Sequence, residues 1–337
     1  MKTGSVIAFG EALIDRLGPI GGDPSFDLPV IDCFGGAPAN VACALARLGV
    51  NVSFIGSLGK DTFGRDFKQL LVQRGINIAG LQQDRNHPTR VVLVRRDPFG
   101  ERFFEGFQGD KGLGFADQAI SREKIIQNWP LIKQNAKWLV LGTIPLASEI
   151  SSDSFLWCLE NALHEGIKVA LDLNWRPTFW RNDVSTVLQP SFKEKNVIVS
   201  IAKKVSFLKL AKEEAQCFFN TSNPIEISSS LPNRPSVVVT DGSNPVLWLL
   251  NNCFGKSLAI IPSTIVDTTG AGDAFTAGLI YKFISIELDQ INAQKAEEII
   301  QFAIACGSHV CKGLGAIESQ PHLEEIDNLL SSSRGGM

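Results

Sequence analysis

Val266-Asp267-Thr268-Thr269-Gly270-Ala271-Gly272-Asp273-Ala274-Phe275-Thr276-Ala277-Gly278 carries the densest chemistry of the chain. Its small residues let the backbone turn tightly and approach a ligand closely. An amphipathic helical pattern, Asp273–Phe283, follows at once. The first N–H groups of a helix lack partners one turn back, and the helix dipole adds partial positive charge there. Gly270, Ala271 and Gly272 therefore form a candidate anion hole, suited to a phosphoryl group passing between two oxygens. Asp273 stands at its mouth, where a carboxylate can accept the proton of an attacking hydroxyl. Taken alone, the same residues also suit an ordinary Asp at a helix start after a glycine turn.

Around this stretch, short β-rich runs alternate with helical ones. Ser5–Phe9, Val52–Ile55, Trp138–Leu141, Lys168–Leu173, Ser206–Lys209, Val237–Thr240 and Val246–Leu250 read as strands. Ala39–Leu48, Phe63–Arg74, Ser152–His164, Lys212–Phe219 and Ala296–Cys311 read as helices. Buried strands spaced by helices imply an α/β/α three-layer fold around a mainly parallel sheet. Two segments break the rhythm. Gly18–Phe34 is rich in Gly, Pro and Asp, and Thr89–Phe107 reads as a β-hairpin around Asp97-Pro98-Phe99-Gly100. We expect them to form a small β-sheet lid from residues 13–34 and 89–111. The main domain then comprises residues 1–12, 35–88 and 112–330, with 331–337 as a tail. Asn220–Pro235 reads as a loop.

Of 337 residues, 44 % are hydrophobic and 20 % charged, which suits a large core and excludes global disorder. Lysine and arginine number 32 against 35 acids, a net charge of −3, so no nucleic-acid partner is expected. The seven cysteines are scattered and form no CxxC pair, which reads as small buried residues in a reducing, cytoplasmic setting. Glu11 and Asp15 interrupt the first apolar run too early for a signal peptide. No apolar stretch approaches the length of a membrane span. The four histidines have no metal spacing. Gly255-Lys256-Ser257 mimics the end of a Walker A loop, but the required first glycine falls on Leu250. Gly10-Glu11-Ala12 after the first strand likewise departs from a dinucleotide-binding GxGxxG.

A second signal is Phe34-Gly35-Gly36-Ala37-Pro38-Ala39-Asn40-Val41-Ala42. Two glycines and a proline lead into a helix whose first turn carries Asn40, an amide able to bond neighbouring hydroxyls. A helix cap after a loop is the plainer alternative. Together the two stretches resemble the paired signatures of the PfkB carbohydrate kinase family, the ribokinase-like sugar kinases, and the resemblance covers nearly the whole chain. It implies an ATP- and Mg²⁺-dependent kinase, K⁺ binding as in many members, and a homodimer formed through the β-lid, where the alternating residues of Val91–Val94 and Phe103–Phe107 are expected to supply one apolar face. By that resemblance Asp273 is the catalytic base and Gly270, Ala271 and Gly272 the anion hole. Asp15, Gly35, Gly36 and Asn40 contact the sugar, and Asp267 and Thr269 edge a monovalent cation site. Gly10-Glu11-Ala12-Leu13-Ile14-Asp15 is similar to the fructokinase-type G-E-x-L-x-D run. Asp172-Leu173-Asn174-Trp175-Arg176-Pro177-Thr178-Phe179-Trp180 is similar to a stretch shared by fructokinases and ketodeoxygluconate kinases. Arg176 would meet a phosphate or a substrate carboxylate, or form a structural ion pair. Thr240 and Gly242 resemble the nucleotide loop, Gly315 the turn closing the adenine side, and Glu214 the acid that reaches Mg²⁺ through water.

Two departures from the family pattern stand out. Ala211 replaces the usual Asn or Ser three residues before Glu214, and Pro245 stands where the nucleotide loop has another glycine. Neither touches the base or the anion hole, and activity is expected to survive both. The expected reaction is fructose to fructose 6-phosphate, at a primary hydroxyl aimed at Asp273, with no need for a raised carboxyl pKa. Ketodeoxygluconate kinase and ribokinase are the alternatives within the family. A non-catalytic sugar- or nucleotide-binding regulatory protein is the alternative from another class.

Overall fold

All five residues of β1, Ser5–Phe9, are buried, as expected of a strand covered on both faces. Val6 and Ala8 pack into one hydrophobic cluster and Ile7 and Phe9 into another, the period-two alternation of a strand inside a three-layer sandwich. The computed structural model describes residues 4–97, 102–110, 112–181 and 189–334. Positions 98–100 of the expected hairpin turn, and 335–337 of the expected tail, lie outside them.

Nine strands form the main sheet. They are β1, β4 (Asn51–Gly59), β5 (Asn77–Asp84), β8 (Ala136–Leu141), β9 (Lys168–Asp172), β10 (Phe207–Ala211), β11 (Ser236–Thr240), β12 (Val246–Leu250) and β13 (Cys253–Ser257). Their order is β13-β12-β11-β10-β9-β8-β1-β4-β5. Every pairing is parallel except β11 with β12 and β12 with β13. On one face, α1 (Ala37–Arg47), α2 (Thr62–Gln73), α9 (Ala271–Phe283) and α10 (Ala293–Val310) bury Val41, Phe67, Phe275 and Ile299. On the other, α3 (Arg122–Ile132), α4 (Glu149–His164), α6 (Phe192–Ala202) and α7 (Lys212–Phe219) bury Ile125, Phe155, Ile198 and Phe218. The expected three-layer α/β fold is therefore present.

The small sheet has four strands in the order β3-β2-β6-β7: β3 (Ile31–Gly35), β2 (Leu13–Ile20), β6 (Val91–Arg96) and β7 (Arg102–Gln108). The hairpin pairing of β6 with β7 is as expected, but its face is not. Register shifts so that Leu93 opposes Gly106 while Val94 opposes Phe104, leaving Glu105 as an extra residue. A bulge of this kind reverses the alternation of side chains across it. Phe103 and Phe107, expected on one face, are thereby parted. Phe107 meets the rings of Phe104 and Phe179 edge-on, each at 5.0 Å, while Phe103 stays 52 % exposed.

Other departures are local. β5 and β13 escape the sequence reading because both are edge strands, where Asn77, Gln82, Gln83 and Lys256 break the apolar signal. Gly255-Lys256-Ser257 is part of β13, with Gly255 packed on the Trp248 ring, so no phosphate loop forms there. The expected loop Asn220–Pro235 contains α8 (Pro224–Ser229), capped by the Asn223 side chain at Ile225 N. Where a tail was expected from 331, α11 (Leu323–Arg334) continues, docked through Ile326 near Phe302. All seven cysteines lie among the described residues, and none is in a disulfide. Among those residues no helix is long and apolar enough to cross a membrane.

The centre of the fold is aromatic. Phe283 of α9 stacks on Trp138 at 5.6 Å and meets the ring of Phe207 edge-on at 5.2 Å. Phe207 is fully buried at the start of β10, two residues ahead of Lys209 in the polar cluster described below. Phe207→Ala should therefore lower unfolding free energy by about 3–5 kcal/mol in urea titrations, the usual range for a buried Phe deletion.

Candidate active site

Gly270 caps α9 at φ 81°, in the left-handed region, and a Cβ there would lie 2.5 Å from Ala316 Cβ. Only glycine combines that backbone with that approach. The turn is held from below by Asp267, which is buried. Its Oδ1 accepts from Thr269 N at 2.9 Å and its Oδ2 from Gly315 N at 2.8 Å. One carboxylate thus clamps the expected anion-hole loop to the expected adenine-side turn. Within the loop, Ala271 N donates to Thr268 O at 3.2 Å, so one of the three expected donor positions is engaged internally. Ala271 and Gly272 line a cavity of about 430 Å³ together with Thr240, Gly242, Phe275 and Ser308. Pro245 sits one residue ahead of β12, outside its ladder, where a missing N–H breaks no strand pairing.

On the other side of the same helical turn stands Asp273. Asn40 Nδ2 donates to its Oδ2 at 2.7 Å. Burial pushes the Asp273 carboxyl up to about 6; the Asn40 bond pulls it down, Asp172 pushes it up, and Lys209 and Arg176 pull it down. The expectation of an ordinary carboxyl is corrected on this point, and desolvation is the reason. Asn40 belongs to the first turn of α1, whose N-cap, Gly36, has no side chain to offer. Gly36 adopts φ 100°, and a Cβ there would meet Glu11 O at 2.6 Å. Glu11 supplies the missing cap, accepting Ala37 N at 3.0 Å through Oε1. Gln320 holds the same helix by donating to Asn40 O at 2.9 Å.

Beneath the anion-hole turn lies a buried ion pair. Lys209 Nζ donates to both oxygens of Asp172, at 3.1 and 3.0 Å, and Thr276 Oγ1 donates to Asp172 Oδ2 at 2.7 Å. A Cβ on Gly272 would stand 3.2 Å from Lys209 Nζ, so this cation lies directly under the turn. Burial works against the Lys209 charge, yet Asp172, Glu214 and Asp273 raise its pKa above the ordinary lysine value. Glu214 is buried too. It accepts Trp175 N at 2.6 Å and Ala211 N at 2.7 Å. Glu214 thus reaches back from the first turn of α7 to Ala211 N, while Ala211 has no polar side chain to cap the helix in return. Arg176 is exposed and donates to Trp175 O at 3.0 Å, and its charge acts on both Asp273 and Glu214.

The small sheet reaches the site from above. Asp15 is half-buried in β2, and a Cβ on Gly35 would lie 2.4 Å from its Oδ2. Cys33 of β3 approaches Gly315, with Sγ 3.3 Å from where its Cβ would be. Asp15, Gly35 and Gly36 therefore adjoin the turn that carries Asn40 to Asp273, Thr240 and Gly242 share the cavity of Ala271 and Gly272, and Gly315 lies between Asp267 and Cys33.

Comparison with known proteins gives the family. The profile of the pfkB family carbohydrate kinase matches residues 6–323. The chain belongs to the PfkB family. It is 31 % identical over 337 residues to fructokinase-1 of Oryza sativa subsp. japonica, covering 97 % of this chain and 98 % of that one. Fructokinase-2 of Solanum lycopersicum is 30 % identical over 335 residues, with 98 % and 97 % covered. Among solved structures, the Vibrio cholerae O395 fructokinase bound to fructose, ADP and calcium ion is similar, with TM-score 0.79 and 26 % identity over 98 % of this chain and all of that one. The Xylella fastidiosa fructokinase with bound ATP gives TM-score 0.80 and 25 % identity, covering 99 % of this chain and all of that one.

Three residues of this PfkB site went unclaimed in the sequence reading: Glu11, Lys209 and Thr276. The first two left a trace, since each is a charged residue inside an otherwise apolar run, Ile7–Leu13 and Phe207–Leu210. A charge in such a place is buried only with a partner. Thr276 left none, because a threonine within a helix is unremarkable in sequence. Glu214 fits a hydrated divalent ion rather than direct ligation: each of its oxygens already accepts an N–H and keeps one lone pair for water.

Asp273 must be ionised to take a proton, so kcat/KM should fall as pH drops through about 6. The Asn40 bond favours the ionised form, and Asn40→Ala should shift that acid limb to higher pH. An unmoved limb in a pH–rate series would remove Asn40 from this role.

Proposed function

We propose that this chain transfers the γ-phosphate of ATP to a primary hydroxyl of a sugar, with fructose as the preferred acceptor. What carries the reading is the Asp273 carboxylate, oriented by Asn40 on one side of a helix turn whose other side lines the nucleotide cavity. A hydroxyl and a terminal phosphate bound on those two sides meet at the first turn of α9. Asp15, Gly35, Gly36 and Asn40 hold the sugar, and Asp273 takes the hydroxyl proton as the new P–O bond forms. The N–H groups around Gly270, Ala271 and Gly272, with Lys209 beneath them, oppose the charge on the transferring group. Arg176 stands at the rim as a further cation for phosphate oxygens. Catalysis is then mainly alignment and electrostatics.

ATP lies along the cavity of Thr240 and Gly242, and the turn of Gly315 closes its adenine side. Mg²⁺, met by Glu214 through water, supplies charge neutralisation on the phosphates when bound. A potassium ion at the loop of Asp267 and Thr269 belongs to the same reading, because a buried carboxylate there offers the charge such an ion needs. The small sheet acts as the lid over the sugar and excludes water during transfer.

Asp273→Asn should lower kcat by at least ~10²-fold, the scale of lost general-base help. Fructose affinity by titration calorimetry should change little. A coupled assay with fructose, ketodeoxygluconate, ribose, adenosine and fructose 6-phosphate, run in K⁺ and in Na⁺, ranks the acceptors. Turnover of none of them would leave only a binding role.

The lid also proposes a partner. Ile20, Phe26, Leu28 and Phe103 expose 62, 87, 82 and 52 % of their surface on one small sheet and its loop. A second copy of this chain, lid against lid, would cover them. Light scattering should give a dimer at micromolar concentration, and Phe103→Asp should shift it to monomer. A monomeric wild type at that concentration removes the dimer.

A further inference from the structure

Glu11 is 1 % exposed, at the end of β1 where the sheet opens onto the site. Oε1 is committed to Ala37 N, but Oε2 is buried and finds no hydrogen-bond partner among the described residues. The charged groups that face Glu11 are both acidic. They are Asp117, from the short turn Ala116–Gln118, and Asp273 from α9. Arg90, the cation beside Asp117, gives both its bonds to that residue at 2.8 and 3.0 Å, beneath the rings of Phe107, Phe115 and Phe179. The backbone N–H groups of Glu11 and of Ala37, at the N-terminus of α1, favour a negative charge on Glu11, but full burial next to two carboxylates outweighs them.

We propose that Glu11 works as an uncharged carboxylic acid that caps α1 and thereby positions Asn40 against Asp273. It is a positioning residue for phosphoryl transfer, and this assignment rests on the kinase reading above. The carbonyl oxygen accepts Ala37 N, and the O–H is on Oε2. Asn40 lies three residues into the same helix, so the cap sets where its amide meets Asp273. Burial, with Asp117 and Asp273 adding to it, raises the Glu11 carboxyl to about 8. Ionisation above that pH would place a buried negative charge beside Asp117 and Asp273 and repel the catalytic carboxylate.

The sign follows from proton binding. Between the ordinary glutamate value and about 8, folded protein holds a proton that the unfolded chain releases. Stability contributed by Glu11 is complete below that window and lost as pH rises through it. Gln copies the neutral acid, with a carbonyl for Ala37 N and an amide in place of the O–H, and carries no such dependence.

The test compares wild type, Glu11→Gln and Glu11→Ala in full-length protein. Glu11→Gln should retain kcat within about threefold at pH 7 and lose an alkaline fall near pH 8, while Glu11→Ala loses kcat tenfold or more. The melting temperature of Glu11→Gln, relative to wild type, should rise steadily from pH 5 to pH 8. A constant gap, or a Gln variant as impaired as Ala at pH 7, would show an ionised Glu11 and overturn the proposal. Should Glu11→Ala not fold, the Gln comparison decides alone. Should wild type phosphorylate no acceptor, the kinase reading falls, while the melting series still reports the charge of Glu11.

Discussion

Asn40 Nδ2 and Asp273 Oδ2 meet at 2.7 Å across 233 residues of sequence. That bond ties the first turn of α1 to the first turn of α9, and the rest of the site is arranged to keep the two turns in register. Gly36 and Gly270 allow the backbone to enter each helix where no other residue fits. Glu11 caps one helix from just beyond β1, and Asp267 clamps the loop feeding the other. A carboxylate screened from water is costly unless donors reach it, and the amide of Asn40 does so at Oδ2 of Asp273.

The electrostatics form a layered arrangement rather than a set of separate pairs. Asp172, Glu214 and Asp273 bring negative charge to the carboxyl ends of β9 and β10 and the start of α9, and Lys209 answers from within. Its charge survives burial only because those carboxylates surround it. Thr276 then connects the pair to the helix that bears Asp273. Lys209 and Asp172 therefore tie the hydrophobic layer below to the chemistry above. Breaking such a pair on one side leaves an uncompensated charge in the core.

Much of this was legible in the chain. The strand and helix rhythm follows from burial on both faces, so it could be read without coordinates. The loop of Gly270, Ala271, Gly272 and Asp273 could be read because tight turns and helix starts demand particular residue types. Edge strands β5 and β13 were not legible, since half their surface meets solvent and their pattern is mixed. The bulge at Glu105 was not legible either: one extra residue changes a face without changing composition.

Sequence by itself determined which residue types were available for phosphoryl transfer and that an α/β sheet would carry them, because local pattern and helix-terminus chemistry are short-range properties. Only tertiary structure decided how those residues are charged. The raised carboxyls of Asp273 and Glu11 and the protonated Lys209 depend on desolvation and on neighbours brought from distant strands. Coulombic interaction and burial act through space, and chain order holds no record of those distances until the sheet has closed.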